Sequence, residues 1–205
     1  MMLLQRDSPA LILASGSASR RALLSAAGLR FDVRPASIDE AAIKASARSA
    51  GADAPTAASR LADAKAAHIS SSEPDALVIG ADQILVCGES WFDKPADMPA
   101  ARDQLRALRG KPHVLETAVV AWRGGAQRWR HLARPRLTMR SFSDRFLDAY
   151  LAAEGDSVLG SVGAYRLEGL GAHLFQHVAG DHAAILGMPL LPLLEHLRAS
   201  GLLLG

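Results

Sequence analysis

The chain has 205 residues, 49% of them apolar and 21% charged, the balance of a globular domain rather than a disordered or fibrous one. Its 23 basic and 21 acidic residues leave a net charge of only +2, so no strong overall field steers it toward polyanions. No apolar run approaches the ~20 residues of a membrane span, the start lacks a secretory signal pattern, and the one cysteine, Cys87, excludes an intrachain disulfide and a cysteine-based zinc cluster. These features are those expected of a cytoplasmic protein without membrane association, one domain over residues 1–205 whose first nine or so residues read as a flexible tail.

Leu11-Ile-Leu-Ala-Ser15 reads as a buried strand. Gly16-Ser17-Ala-Ser19-Arg20-Arg21 and a helix over 19–27, stopped by Gly28, follow it. Hydroxyls, backbone N–H groups and two guanidinium groups thus meet at a helix N-terminus, where a phosphate is favoured. A plain cap by Ser17 or Ser19, with the arginines in water, explains the same residues. A strand at 31–34 leads to Ile38-Asp39-Glu40, two acids that suit either a hard cation such as Mg²⁺ or a helix N-terminus. Residues 35–55 are Ala-rich but lack a clean apolar stripe. The helix over 56–69 carries a single lysine, Lys65, a surface position by default.

Strands at 76–81 and 84–87 flank Gly80-Ala81-Asp82-Gln83. The small residues suit close approach of a ligand to the backbone. Asp82, at a strand end, is placed to bind a metal or deprotonate water, or to make a local turn hydrogen bond. Cys87 reads as a buried structural cysteine. Phe92-Asp93-Lys94-Pro95 closes a hairpin and puts Lys94 on a stiff loop, suited to phosphate oxygens or to a plain turn. A helix over 98–109 ends at Gly110. Strands at 114–122 and 127–138 are joined by Gly124-Gly125, a hairpin signal. Residues 123–145 hold seven arginines against one acid, Asp144. Their alternation with apolar residues reads as a solvated strand face, and a nucleic-acid patch is the competing reading. A helix at 143–153, a glycine-rich stretch Gly163–Gly171, a strand at 172–178 and a helix at 189–200 complete the chain. His173, His177 and His182 suggest zinc only on a helix, and 172–178 reads as strand.

Alternating strands and helices with a late antiparallel pair predict an α/β fold with a mixed sheet. The polar set is a hydroxyl-and-arginine turn, two lysines and two or three carboxylates. Phosphoanhydride hydrolysis needs this kind of set: cations against the phosphate charge, carboxylates for a metal, and one carboxylate to activate water. The glycine-rich stretches match neither the dinucleotide fingerprint nor the Walker lysine pattern.

In chain order, Leu-Ala-Ser15-Gly-Ser17-x-x-Arg20-Arg21, Asp39-Glu40, Ala64-Lys65-Ala66, Gly80-Ala81-Asp82, Lys94-Pro95, Gly163-x-Tyr165, Glu168-Gly169 and Gly187-Met188-Pro189-Leu190 resemble the Maf family of nucleoside triphosphate pyrophosphatases over about residues 10–200. The resemblance implies a Maf/ITPase-like mixed twisted sheet flanked by helices, in two lobes with a central cleft. It implies divalent-metal-dependent (Mg²⁺ or Mn²⁺) cleavage of a nucleoside triphosphate to the monophosphate and pyrophosphate, a house-cleaning role, a link to arrest of cell division, and homodimers in many members. By position, Asp82 corresponds to the general base and a metal ligand, and Glu40 lies at the metal. Ser15, Ser17, Ser19, Arg20 and Arg21 form the triphosphate turn, and Lys65 and Lys94 add phosphate contacts. Gln83 and Glu168 match the 7-methyl-GTP branch rather than the dTTP/UTP branch, whereas Ser19 matches neither. An ionised Glu168 only accepts hydrogen bonds, which suits the N1–H and N2–H donors of a guanine edge. The other readings are a dTTP/UTP pyrophosphatase and a non-enzymatic RNA-binding or cell-division regulator; stable nucleic-acid binding is not expected.

Overall fold

A computed structural model describes residues 4–205. The elements run β1 (Leu11–Leu13), α1 (Ala18–Ala26), β2 (Asp32–Val33), α2 (Glu40–Ser49), α3 (Ala54–Ser70), β3 (Leu77–Cys87), β4 (Ser90–Phe92), α4 (Met98–Leu108), β5 (Pro112–Arg123), β6 (Ala126–Ala133), β7 (Arg136–Met139), α5 (Asp144–Glu154), β8 (Phe175–Ala179), α6 (His182–Ile185) and α7 (Leu190–Ala199), with 3-10 turns between α5 and β8. The eight strands form one mixed sheet in the order β2-β1-β3-β5-β7-β8, with β4 on β3 and β6 on β5. The expected α/β class with a mixed sheet is what the chain forms. No helix among the described residues is long and apolar enough to cross a membrane.

The chain divides into two compact units. The first takes residues up to Asp82, then Thr117–Ala133 and His182–Gly205. In it β1 pairs in parallel with β2 and β3, with Leu13 opposite both Val33 and Ile79. Its core packs Leu11, Leu13, Leu77, Ile79 and Val119 from the strands against Leu24 of α1 and Leu193 and Leu197 of α7. Burying each such side chain contributes about 1.5–3 kcal/mol. Gln5, inside the stretch read as a tail, is buried. Its side-chain amide exchanges two hydrogen bonds with the Arg30 backbone, at 2.8 and 2.7 Å.

The second unit takes Gln83–Glu116 and Arg134–Asp181. Here β7 pairs antiparallel with β5 and β8, and Leu105, Leu108, Leu115, Leu137, Met139 and Leu147 are fully buried. Arg134 donates through two nitrogens to the buried Glu116 carboxylate, at 2.9–3.1 Å, and the Arg140 guanidinium lies 4.2 Å from the Phe146 ring centroid. Part of the arginine-rich segment is thus engaged in folding, while Arg128 and Arg130 of β6 are exposed as a solvated strand face requires.

Local signals explain most boundaries. Ser17, Asp39, Asp53, Asp97 and Ser143 each cap a helix by accepting an N–H three residues on. Asp39 thereby resolves residues 35–55, where α2 forms. Gly124 and Gly125, with φ of 61° and 70°, make the β5–β6 turn in the left-handed region that a two-residue hairpin needs. Three boundaries differ from expectation. The strands expected at 76–81 and 84–87 are one strand, because Asp82 sends its side chain to a partner on one face while the backbone stays extended. The strand expected over 127–138 breaks at Arg134-Pro135, where proline supplies no ladder N–H. The strand expected from 172 begins at Phe175, because Leu170–Leu174 is a 3-10 turn. Cys87, expected buried, is partly exposed near the end of β3.

Candidate active site

In the first unit, β1 and β3 run side by side, so the turn after β1 lies beside the Gly80–Asp82 stretch of β3. Binding sites of parallel sheets form at such strand ends. Ser17 is the N-cap of α1, its hydroxyl accepting from Arg20 N at 3.4 Å. Ser15 is buried, and its hydroxyl accepts from Ser17 N at 3.3 Å and from Arg20 Nη1 at 3.0 Å. Arg20, only 8% exposed, also donates from Nε to Gly187 O at 2.8 Å. Burial lowers the pKa of its guanidinium, and the nearby carboxylates of Asp82 and Glu40 oppose that shift. Ser19 is half-buried and Arg21 exposed on the same helix.

Lys65 departs from expectation. It is 7% exposed, not a surface residue. The buried stripe of α3 runs through Ala57, Ala58, Leu61, Ala62, Lys65, Ala66 and Ile69, and the lysine lies inside it. Its ammonium donates to Asp82 Oδ1 at 2.7 Å and pairs with Glu40 Oε1 at 2.9 Å. Asp82 is 5% exposed, and its second oxygen, Oδ2, is buried without a hydrogen-bond partner. Gly80 explains how the helix reaches the strand. A Cβ there would sit 2.3 Å from Ala62 O and 2.8 Å from Ala66 Cβ. The close approach expected of a ligand is therefore made by α3 itself. Residues two apart on a strand share a face, so Asp82 faces the same helix, and Lys65, between Ala62 and Ala66, reaches its carboxylate.

The first unit thus gathers Ser15, Arg20, Glu40, Lys65 and Asp82, two cations and two carboxylates in charge balance around one unpartnered carboxylate oxygen. Ser17, Ser19 and Arg21 belong to the same unit, and the second unit carries Gln83, Lys94 and Glu168. Gln83 follows Asp82 on β3 and is half-buried. Lys94 lies in the loop after β4, beside the buried Pro95, and Gln104 Nε2 of α4 fastens that loop at Asp93 O, 2.9 Å away. Glu168 sits in the turn after Tyr165, its Oε1 3.5 Å from Arg166 Nε. His173, His177 and His182 are all exposed.

The profile of the Maf-like protein family matches residues 10–200. This chain belongs to the Maf family. Among its relatives, the nucleoside triphosphate pyrophosphatase of Granulibacter bethesdensis is 52% identical over 92% of this chain and 95% of its own length. That of Rhodospirillum rubrum is 50% identical over 96% of this chain and 98% of its own. The 7-methyl-GTP pyrophosphatase of Rhizobium etli is 47% identical over 96% of this chain and 99% of its own.

Three residues that support these positions in the Maf chain escape sequence reasoning. Gly187 stood only as part of a motif, yet its carbonyl anchors Arg20, and a Cβ on it would meet Arg20 Nε at 3.2 Å. Thr117 of β5 steadies that loop by donating to Ala184 O at 3.1 Å. Glu154, the last residue of α5, binds the Glu168 turn. No local pattern marks Thr117 or Glu154, because each acts on a partner well removed in sequence.

Proposed function

We propose that this Maf protein hydrolyses nucleoside triphosphates between the α and β phosphates, releasing the monophosphate and pyrophosphate, with guanine-type nucleotides such as 7-methyl-GTP as its preferred class. The observation that carries the reading is the Asp82 carboxylate, with Oδ1 fixed by Lys65 and Oδ2 buried and unpartnered. A fixed carboxylate with one unpartnered oxygen is the group that general-base hydrolysis requires.

In the proposed reaction, Asp82 Oδ2 takes a proton from water as the water oxygen bonds to the α phosphorus. The bond from that phosphorus to the bridging oxygen breaks, its electron pair leaves with pyrophosphate, and the proton on Asp82 passes to solvent. Lys65 keeps Asp82 oriented and offsets its charge. Arg20, bound through two nitrogens to Ser15 and Gly187, holds the turn that carries Ser17, Ser19 and Arg21 toward the phosphates. Arg21 and Lys94, both exposed, supply charge against the leaving pyrophosphate.

The half-exposed Glu40 carboxylate, which shares Lys65 with the Asp82 carboxylate, suits a hard cation by the chemistry of its oxygen donors. No cluster of three or more metal-ligating side chains occurs among the described residues, and Mg²⁺ is commonly held by one or two carboxylates together with substrate phosphates and water. Glu40, with the Asp82 carboxylate, would hold Mg²⁺ or Mn²⁺, which when bound neutralises phosphate charge and polarises the phosphorus centre.

The guanine preference rests on Glu168 and Gln83, and relatives named 7-methyl-GTP pyrophosphatase at 47% identity support it. A soluble nucleotide substrate also supports a cytoplasmic setting. The test is a panel of canonical and modified nucleoside triphosphates with Mg²⁺ or Mn²⁺, assayed for monophosphate and pyrophosphate. Wild type should turn over guanine-type members best. Asp82→Asn should lose at least about 100-fold in kcat with unchanged circular dichroism. Near-wild-type turnover by that variant would remove Asp82 from the chemistry.

A further inference from the structure

Glu154 closes α5 with a carboxylate only 6% exposed. Its Oε1 accepts from Leu170 N at 3.0 Å and its Oε2 from Arg166 Nη1 at 3.4 Å. The Nε of the same guanidinium lies 3.5 Å from Glu168 Oε1. One arginine therefore links a buried carboxylate to the exposed one that the proposed function gives to base recognition. The turn is wound tightly around this link. A Cβ at Gly169 would come within 3.2 Å of Glu154 Oε1, and one at Gly171 within 2.3 Å of Arg166 O.

We infer that Arg166, anchored by Glu154, is a positioning residue that sets base specificity by holding the Glu168 carboxylate in one orientation. This rests on the reading of Glu168 as the base contact. A glutamate on an open turn has several rotors to freeze when it meets a ligand, and ordering it beforehand removes that cost from binding. A carboxylate held in one orientation presents its two oxygens as fixed acceptors, and so favours a base edge with two donors over one offering carbonyls. Arginine suits the position because its fork addresses two carboxylates with different nitrogens, a geometry that an ammonium lacks. Glu154 fixes the arginine, so the three side chains act as a relay running outward from the α5 terminus.

The test compares kcat and KM for 7-methyl-GTP, GTP and UTP in wild type, Glu168→Gln, Arg166→Gln, Arg166→Lys and Glu154→Gln, with thermal melts to show that each variant is folded. Arg166→Gln should raise KM for the guanine nucleotides about tenfold, leave kcat within about twofold, and lower the guanine-to-uracil ratio of kcat/KM by about tenfold. Arg166→Lys should restore only part of that ratio. Glu154→Gln should shift it in the same direction, and it serves if Arg166→Gln does not fold. A profile changed by Glu168→Gln but untouched by Arg166→Gln and Glu154→Gln would overturn the relay and leave the base contact standing. A profile unmoved by Glu168→Gln itself would overturn the base contact, and the relay with it.

Discussion

A lysine ammonium taken out of water carries a desolvation cost of several kcal/mol unless it is paired and hydrogen-bonded. Lys65 meets that condition twice, at 2.7 Å to Asp82 and 2.9 Å to Glu40. The dependence is mutual, since Asp82 is buried and Lys65 is its closest cation. Lys65→Met should therefore destabilise the fold by about 3–5 kcal/mol, because it strands a buried carboxylate. The double variant Lys65→Met with Asp82→Asn should recover part of that loss, since no uncompensated charge then remains. Urea titrations of the two single variants and the double one measure the coupling. Strictly additive losses would show that the two side chains do not share one energetic unit. The sequence displayed Lys65 and Asp82 as separate short motifs. The stripe of α3 carries the missing information, because a charge at a buried helical phase must find a partner, although nothing in the sequence alone says which.

At the scale of elements, the contact between α3 and β3 decides whether that pair exists. Gly80 lets the Ala62 and Ala66 turns of the helix lie directly on the strand. Gly80→Ala places a methyl carbon against the Ala62 carbonyl, a backbone atom that cannot turn aside. The helix must move, and Lys65 moves with it. Overpacking of this kind typically costs about 1–3 kcal/mol, so a lower urea midpoint together with at least a tenfold loss of turnover is expected. Full activity at unchanged midpoint would mean that the helix has slack there. Elements with local punctuation were legible beforehand: α4 between Asp97 and Gly110, and the β5–β6 hairpin at Gly124-Gly125. Pro135 marked the end of β6 just as openly, yet the alternation of 127–138 outweighed it. The small residues around Asp82 suggested a ligand's approach because a strand sequence does not show what packs on its face.

Across the whole molecule, β3 and β5 each give residues to both units, an interleaving that local periodicity does not encode. The second unit also contains a titratable group with consequences for the stability of the entire chain. His113 is 2% exposed, its Nε2 lies 3.0 Å from Tyr165 Oη, and burial holds its pKa down to about 4. An unfolded histidine titrates near 6.5. Below pH 6.5 the unfolded chain therefore binds a proton that the folded one refuses, so stability is complete above 6.5 and declines as pH falls toward 4. The full difference is on the order of 3 kcal/mol, with about 2 kcal/mol of it lost by pH 5. That is a large share of the 5–15 kcal/mol typical of a folded domain. His113→Gln keeps a polar partner for Tyr165 but cannot titrate. Between pH 7.5 and pH 5, wild type should lose about 2 kcal/mol more in urea titrations than this variant. The substitution leaves every other side chain in place, so their contributions cancel in the comparison. Parallel pH dependences would show that His113 takes up its proton without leaving its place beside Tyr165.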